Sequence, residues 1–178
     1  MEAKNNCQLS KVVTAAFDKN LEQLEKLQGS VDPDCRSCNI NTSVVPGFPP
    51  IQLAIMYKIP VIAKLLILHG SPLDDLDMRN ESAMHYAALY GHLDIAKMIV
   101  SHGGSFDIKN IDGRTPLHIA IFKRHVDIAK FLIDQGADLT LKDNWGKCVL
   151  DQGSYDDDRK QEIVDYIKLK SLGKRSDE

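Results

Sequence analysis

Apolar residues along the chain fall into short helical periods that come in pairs. Leu117, Ala120 and Ile121 recur at the spacing of one helix face. After a polar break at Arg124-His125, the residues Val126, Ile128, Ala129, Leu132 and Ile133 outline a second amphipathic helix. Thr115 stands where an N-cap hydroxyl can accept from the first helical amides. Pro116 suits the first helical position, which needs no amide donor. Gly136 falls where a helix ends and the backbone can turn left-handed. The pattern predicts helix, tight turn, helix, then an extended loop.

This unit recurs. Equal steps along the chain separate His118, His85 and Gln52, and the same step separates Gly136, Gly103 and Gly70. The triplets Ile62/Ile95/Ile128, Ala63/Ala96/Ala129 and Lys64/Lys97/Lys130 keep this period, and Gly113 leads forward to Gly146. One such unit cannot cover its own apolar face, so several must stack.

The stretches Asp112-Gly113-x-Thr115-Pro116-Leu117-His118-x-Ala120 and Gln135-Gly136-Ala137-Asp138 resemble the opening and closing motifs of the ankyrin repeat. The resemblance spans residues 9–167. It implies an all-α solenoid of paired antiparallel helices, with hairpin-like fingers projecting at roughly right angles. It also implies binding of another protein on a concave inner face and on the fingers, as adaptor, scaffold or inhibitor. Neither enzymatic activity nor a cofactor is implied.

A single ankyrin-repeat domain is expected over residues 1–170, with a flexible tail at 171–178. Its units are an N-terminal cap at 9–32, three repeats at 44–76, 77–109 and 110–142, and a polar C-terminal cap at 143–168. Unit 44–76 is degenerate: Pro49 replaces the capping threonine, Gln52 replaces the histidine, and Pro60 starts the second helix. The step from Ala15 to Ala54 is longer than the period, which leaves room for an insertion at 33–47. The last helix is expected from Arg159 to Lys168.

Composition agrees with a soluble globular chain: 43% of residues are hydrophobic and 26% charged. A formal charge of −3 argues against a nucleic-acid partner. No apolar run approaches the ~20 residues of a membrane helix, so membrane insertion is not expected. The N-terminus lacks the basic and apolar segments of a secretory signal. Together with Cys7, Cys35, Cys38 and Cys148 read as reduced thiols, this places the protein in the cytoplasm or nucleus. The Met1 start and the polar last unit suggest a complete chain, expected to be a monomer by itself.

Candidate chemistry is sparse. His85 and His118 sit at equivalent helix starts, and His92 and His125 at equivalent inter-helix turns, so all four read as structural. Cys35 and Cys38 have half the spacing of a zinc site. They read as loop cysteines, with a metal-binding or regulatory insertion loop as the alternative function. The runs Asp74-Asp75-Leu76-Asp77 and Asp156-Asp157-Asp158 lack the calcium-loop pattern. No phosphate-binding, HExxH or GxSxG motif occurs.

Partner binding is assigned by elimination. Within each of the four units from residue 44 to 168, the second, third and fifth positions and the two residues before the inter-helix turn have no evident framework role. Six of the chain's eleven aromatics fall among these twenty positions: Phe48, Tyr57, Tyr90, Phe122, Trp145 and Tyr155. Aromatics and arginine dominate the energetic centres of interfaces. The candidate face therefore comprises Tyr57, Met78, Arg79, Glu81, Leu89, Tyr90, Ile111, Asp112, Arg114, Phe122, Lys123, Trp145, Lys147 and Tyr155. Its positive excess suits an acidic or amphipathic partner segment.

Overall fold

The computed structural model describes residues 47–151 and 158–173, with the side chains of 158–160 and 171–173 left aside. The expected cap at 9–32, the insertion with Cys35 and Cys38, and Tyr155 lie outside the described residues. Within them the chain forms α1 (Pro50–Met56), α2 (Pro60–Leu68), α3 (Ala83–Tyr90), α4 (Leu93–Ser101), α5 (Pro116–Phe122), α6 (Val126–Asp134) and α7 (Asp158–Gly173). One 3-10 turn, Val149–Asp151, precedes α7. No strand is present among the described residues.

The helices stack in two rows. The first helices of successive units, α1, α3 and α5, pack in one row, and α2, α4, α6 and α7 form the other. The core between them keeps the sequence period. Ile62, Ile95 and Ile128 are buried at one level, and Leu66, Ile99 and Leu132 at the next. Ala63, Ala96 and Ala129 are fully buried and let the two rows approach closely. Each large aliphatic side chain contributes about 1.5–3 kcal/mol through burial.

Local sequence explains where the helices begin. Ser82 and Thr115 occupy N-caps with extended backbone, and Pro116 takes the first helical position. Pro49 leaves α1 without a side-chain cap, and Pro50 starts it. The breaks between helices are equally regular. Lys58, Gly91 and Arg124, one period apart, all have positive φ. A second such series is Gly47, Asn80, Gly113 and Gly146, and a third is Gly70, Gly103 and Gly136. Three left-handed residues per unit thus turn the chain from finger to helix, helix to helix, and helix to loop.

The last unit departs from the pattern. Cys148 stands where Thr115 stands one unit earlier, and its amide and thiol lie 3.0 and 3.1 Å from Asp151 Oδ2. Where α5 has its counterpart, the described residues form the 3-10 turn Val149–Asp151. α7 begins at Asp158 and continues to Gly173, so residues 171–173 are helical rather than tail. Ile163 anchors it in the core. The Tyr166 hydroxyl donates to Asp134 at 2.6 Å, Lys130 pairs with Glu162 at 2.6 Å, and Lys170 pairs with Asp134.

Candidate binding face

Each finger is built around one side chain at its base. Asp77 Oδ1 accepts the amides of Arg79 and Glu81 at 2.8 and 2.9 Å. Asn110 Oδ1 accepts those of Asp112 and Arg114 at 3.0 and 2.9 Å, and Asp143 Oδ1 those of Trp145 and Lys147 at 3.0 and 2.9 Å. The backbone closes each finger in the same way: Asp77 bonds to Glu81, Asn110 to Arg114, and Asp143 to Lys147. Neighbouring fingers are joined, since the Ile111 amide donates to the Arg79 carbonyl and the Asn144 amide to the Asp112 carbonyl. The fingers therefore form one continuous ledge along the first-helix row.

A short side chain that accepts two amides holds the backbone and leaves the intervening residues outward. Met78 is 72% exposed, Trp145 61%, Ile111 58% and Phe122 51%. Tyr57 is exposed too, at the end of α1. Arg79, Lys123 and Lys147 are exposed; Asp112 and Arg114 are half-buried.

Four of these residues meet. The Arg114 guanidinium lies 5.4 Å from the Phe122 ring centre and 5.0 Å from that of Trp145. Lys123 Nζ lies 5.6 Å from the Phe122 ring centre. A cation over an aromatic face contributes about 0.5–1 kcal/mol at exposed sites. Behind Arg114, at 3.9 Å, sits the buried carboxylate of Asp143. The cluster joins the end of α5 to two successive fingers.

Other candidates lie elsewhere. Glu81 is 5% exposed and does not belong to the outer surface. Its backbone closes the finger, which draws the side chain under, where Asn110 Nδ2 donates to it at 3.3 Å. Burial pushes the Glu81 carboxyl above its usual range, against the opposing pull of Arg79. Tyr90 is half-buried, its ring centre 6.3 Å from that of Tyr86, and Leu89 packs against the core. Both serve the α3 packing more than the outer face.

Sequence reasoning missed a buried polar group beneath the fingers. The Tyr86 hydroxyl donates to Asp77 Oδ2 at 2.7 Å. Burial, then Asp77, raises the pKa of that phenol. The equal spacing of Asp77, Asn110 and Asp143, one period apart, was the available signal for finger bases.

Two histidines hold the starts of their helices. His85 Nδ1 accepts the Ser82 amide at 3.1 Å, and His118 Nδ1 accepts the Thr115 amide at 3.2 Å. His85 Nε2, which must then carry the proton, donates to the Arg114 carbonyl at 3.1 Å. Burial lowers the pKa of His85 to about 4, and lowers those of His118 and His92 as well. His125 Nε2 lies 3.3 Å from the Leu89 carbonyl.

No helix among the described residues is long and apolar enough to cross a membrane. A family model described as ankyrin repeats (3 copies) matches residues 12–112 and 51–143. Together these spans cover most of the chain. No curated protein matches it.

Proposed function

Because the chain belongs to the ankyrin-repeat family, we propose that it holds a segment of another protein along the fingers and the first-helix row, as an adaptor, scaffold or inhibitor. Ankyrin repeats are generally protein–protein interaction modules and are typically non-enzymatic. One observation carries the finer reading: Met78, Ile111, Phe122 and Trp145 are all more than half exposed on neighbouring fingers and the adjoining helix end. Large apolar groups left exposed together mark interaction sites. The cations among them favour a protein segment over a small apolar ligand.

The test is affinity capture with the whole chain from cells that express it, comparing wild type with Phe122→Ala/Trp145→Ala. Both side chains are exposed, so the variant should keep its helical content and melting temperature. Loss of the captured partner from a still-folded variant supports the reading. Equal recovery by both proteins removes this face from the interaction. Tyr90→Ala is a poorer probe, because Tyr90 packs on Tyr86 and its loss disturbs α3.

A further inference from the structure

We infer that the segment held on this face is acidic, with an apolar side chain that lies over Phe122 and Trp145. The inference rests on the docking reading above and deepens it.

Charge sorting between buried and exposed positions carries the argument. The residues of the ledge include the cations Arg79, Arg114, Lys123 and Lys147, and the carboxylates Glu81, Asp112 and Asp143. Folding hides most of the negative charge. Asp143 is buried, with Oδ1 occupied by two backbone amides. Glu81 is buried, bonded to Asn110, and shifted by burial toward its neutral form. Among the described residues, Asp112 is the one ledge carboxylate that keeps partial access to solvent. The positive charge stays out. Lys123 and Lys147 are exposed and have no ion pair among the described residues; the Arg79 side chain is 64% exposed, with the Glu81 carboxylate 3.9 Å away.

The chain as a whole carries −3, so this positive ledge runs against its overall balance. Arg114 adds direction. Its guanidinium lies over both the Phe122 and the Trp145 rings, with Asp143 behind it at 3.9 Å. A planar guanidinium placed in this way is preorganised for a carboxylate. Exposed Met78 and Ile111 give contact area that a nucleic-acid backbone would not use, which favours a peptide.

Trp145 is the chain's one tryptophan, so its emission reports contact at this spot. A random-peptide display library is selected against the whole chain, and against Lys123→Glu/Lys147→Glu. The strongest peptide is then titrated by tryptophan emission, beside a version with Asp and Glu replaced by Asn and Gln. The expected result is a set of net-negative sequences carrying a large apolar residue. The amide version should bind about tenfold or more weakly, and affinity should fall as salt screens the charges. The charge-reversed variant should lose the acidic preference.

Selection of neutral or basic sequences that still change Trp145 emission would overturn the acidic class while leaving the docking face intact. Selected peptides that leave the emission unchanged and bind Phe122→Ala/Trp145→Ala equally well would remove the docking face and this inference with it. A single-stranded oligonucleotide that shifts Trp145 more tightly than any acidic peptide would reassign the cations to phosphate.

Discussion

His85 ties its own helix to the next finger, with its Nε2 3.1 Å from the backbone carbonyl of Arg114. Gln52, one period earlier, makes the corresponding bond: its Nε2 lies 2.8 Å from the carbonyl of Glu81. A unit that looks degenerate in its letters thus preserves the inter-unit bond with a different donor.

The first prediction concerns acid. His85 in the fold has a pKa of about 4, below the ordinary 6.5, because burial disfavours the imidazolium. The unfolded chain therefore binds more protons between these values, and stability rises with pH there. The His85 contribution is complete above pH 6.5 and declines as pH falls toward 4. Its size is a few kcal/mol. His118 and His92 shift in the same direction, while buried Glu81, shifted upward, acts in the opposite sense above its ordinary pKa. Urea midpoints measured from pH 7 to pH 4 should fall for the wild type and fall less for His85→Gln. Gln can donate to the Arg114 carbonyl but does not titrate, so it should cost about 1 kcal/mol at pH 7. An equal acid dependence in both proteins would assign the effect to other groups.

Removing the hydroxyl of Tyr86 tests the buried polar group under the fingers. Tyr86→Phe leaves Asp77 Oδ2 without the donor at 2.7 Å while Oδ1 still holds the Arg79 and Glu81 amides. An unsatisfied buried acceptor costs about 1–3 kcal/mol. The variant should therefore unfold at lower urea, with the finger and its peptide binding preserved. Wild-type stability in Tyr86→Phe would mean that Asp77 Oδ2 finds another partner.

Much of this fold could be read from the sequence because its framework positions each have one physical job. Thr115 and Pro116 start α5, Gly136 turns the chain after α6, and the isoleucine and alanine triplets fill one core level each. Such jobs repeat once per unit and leave a visible period. The face was less legible. Glu81, Leu89 and Tyr90 share repeat positions with exposed residues, yet their own neighbours draw them inward: Asn110 for Glu81, the core for Leu89, Tyr86 for Tyr90. Register tells where a backbone position lies, and the local partners decide where a long side chain goes.

The inter-helix turn offers a pair of opposite substitutions. Lys58 and Gly91 occupy the same repeat position with φ of 57° and 79°. A left-handed conformation costs a residue with Cβ about 1–2 kcal/mol, while glycine loses about 0.5–1 kcal/mol more entropy on folding. Lys58→Gly should therefore raise stability by up to about 1 kcal/mol. Gly91→Ala should lower it by more than the strain alone, because an added Cβ would stand 2.8 Å from His125 Cε1. Thermal melts of the two variants should move in opposite directions. A shared direction would show that the turn is not governed by backbone conformation.

The last prediction follows from the two-row stack itself. Contacts join each helix to its neighbours in its own unit and the next, so stability is local and passes from unit to unit. Leu132 is fully buried in α6, and α6 is the helix on which α7 docks. Leu132→Ala should cost about 2–5 kcal/mol, and the loss should appear first at the C-terminal end of the stack. Amide hydrogen exchange should accelerate in α5, α6 and α7 while α1 and α2 keep their protection. Trp145 lies on the finger between α6 and α7, so peptide binding there should weaken although no contacting side chain has changed. A uniform acceleration from α1 to α7 would instead show that the stack opens as one cooperative block, in which case the binding face would gain and lose its order together with the whole chain.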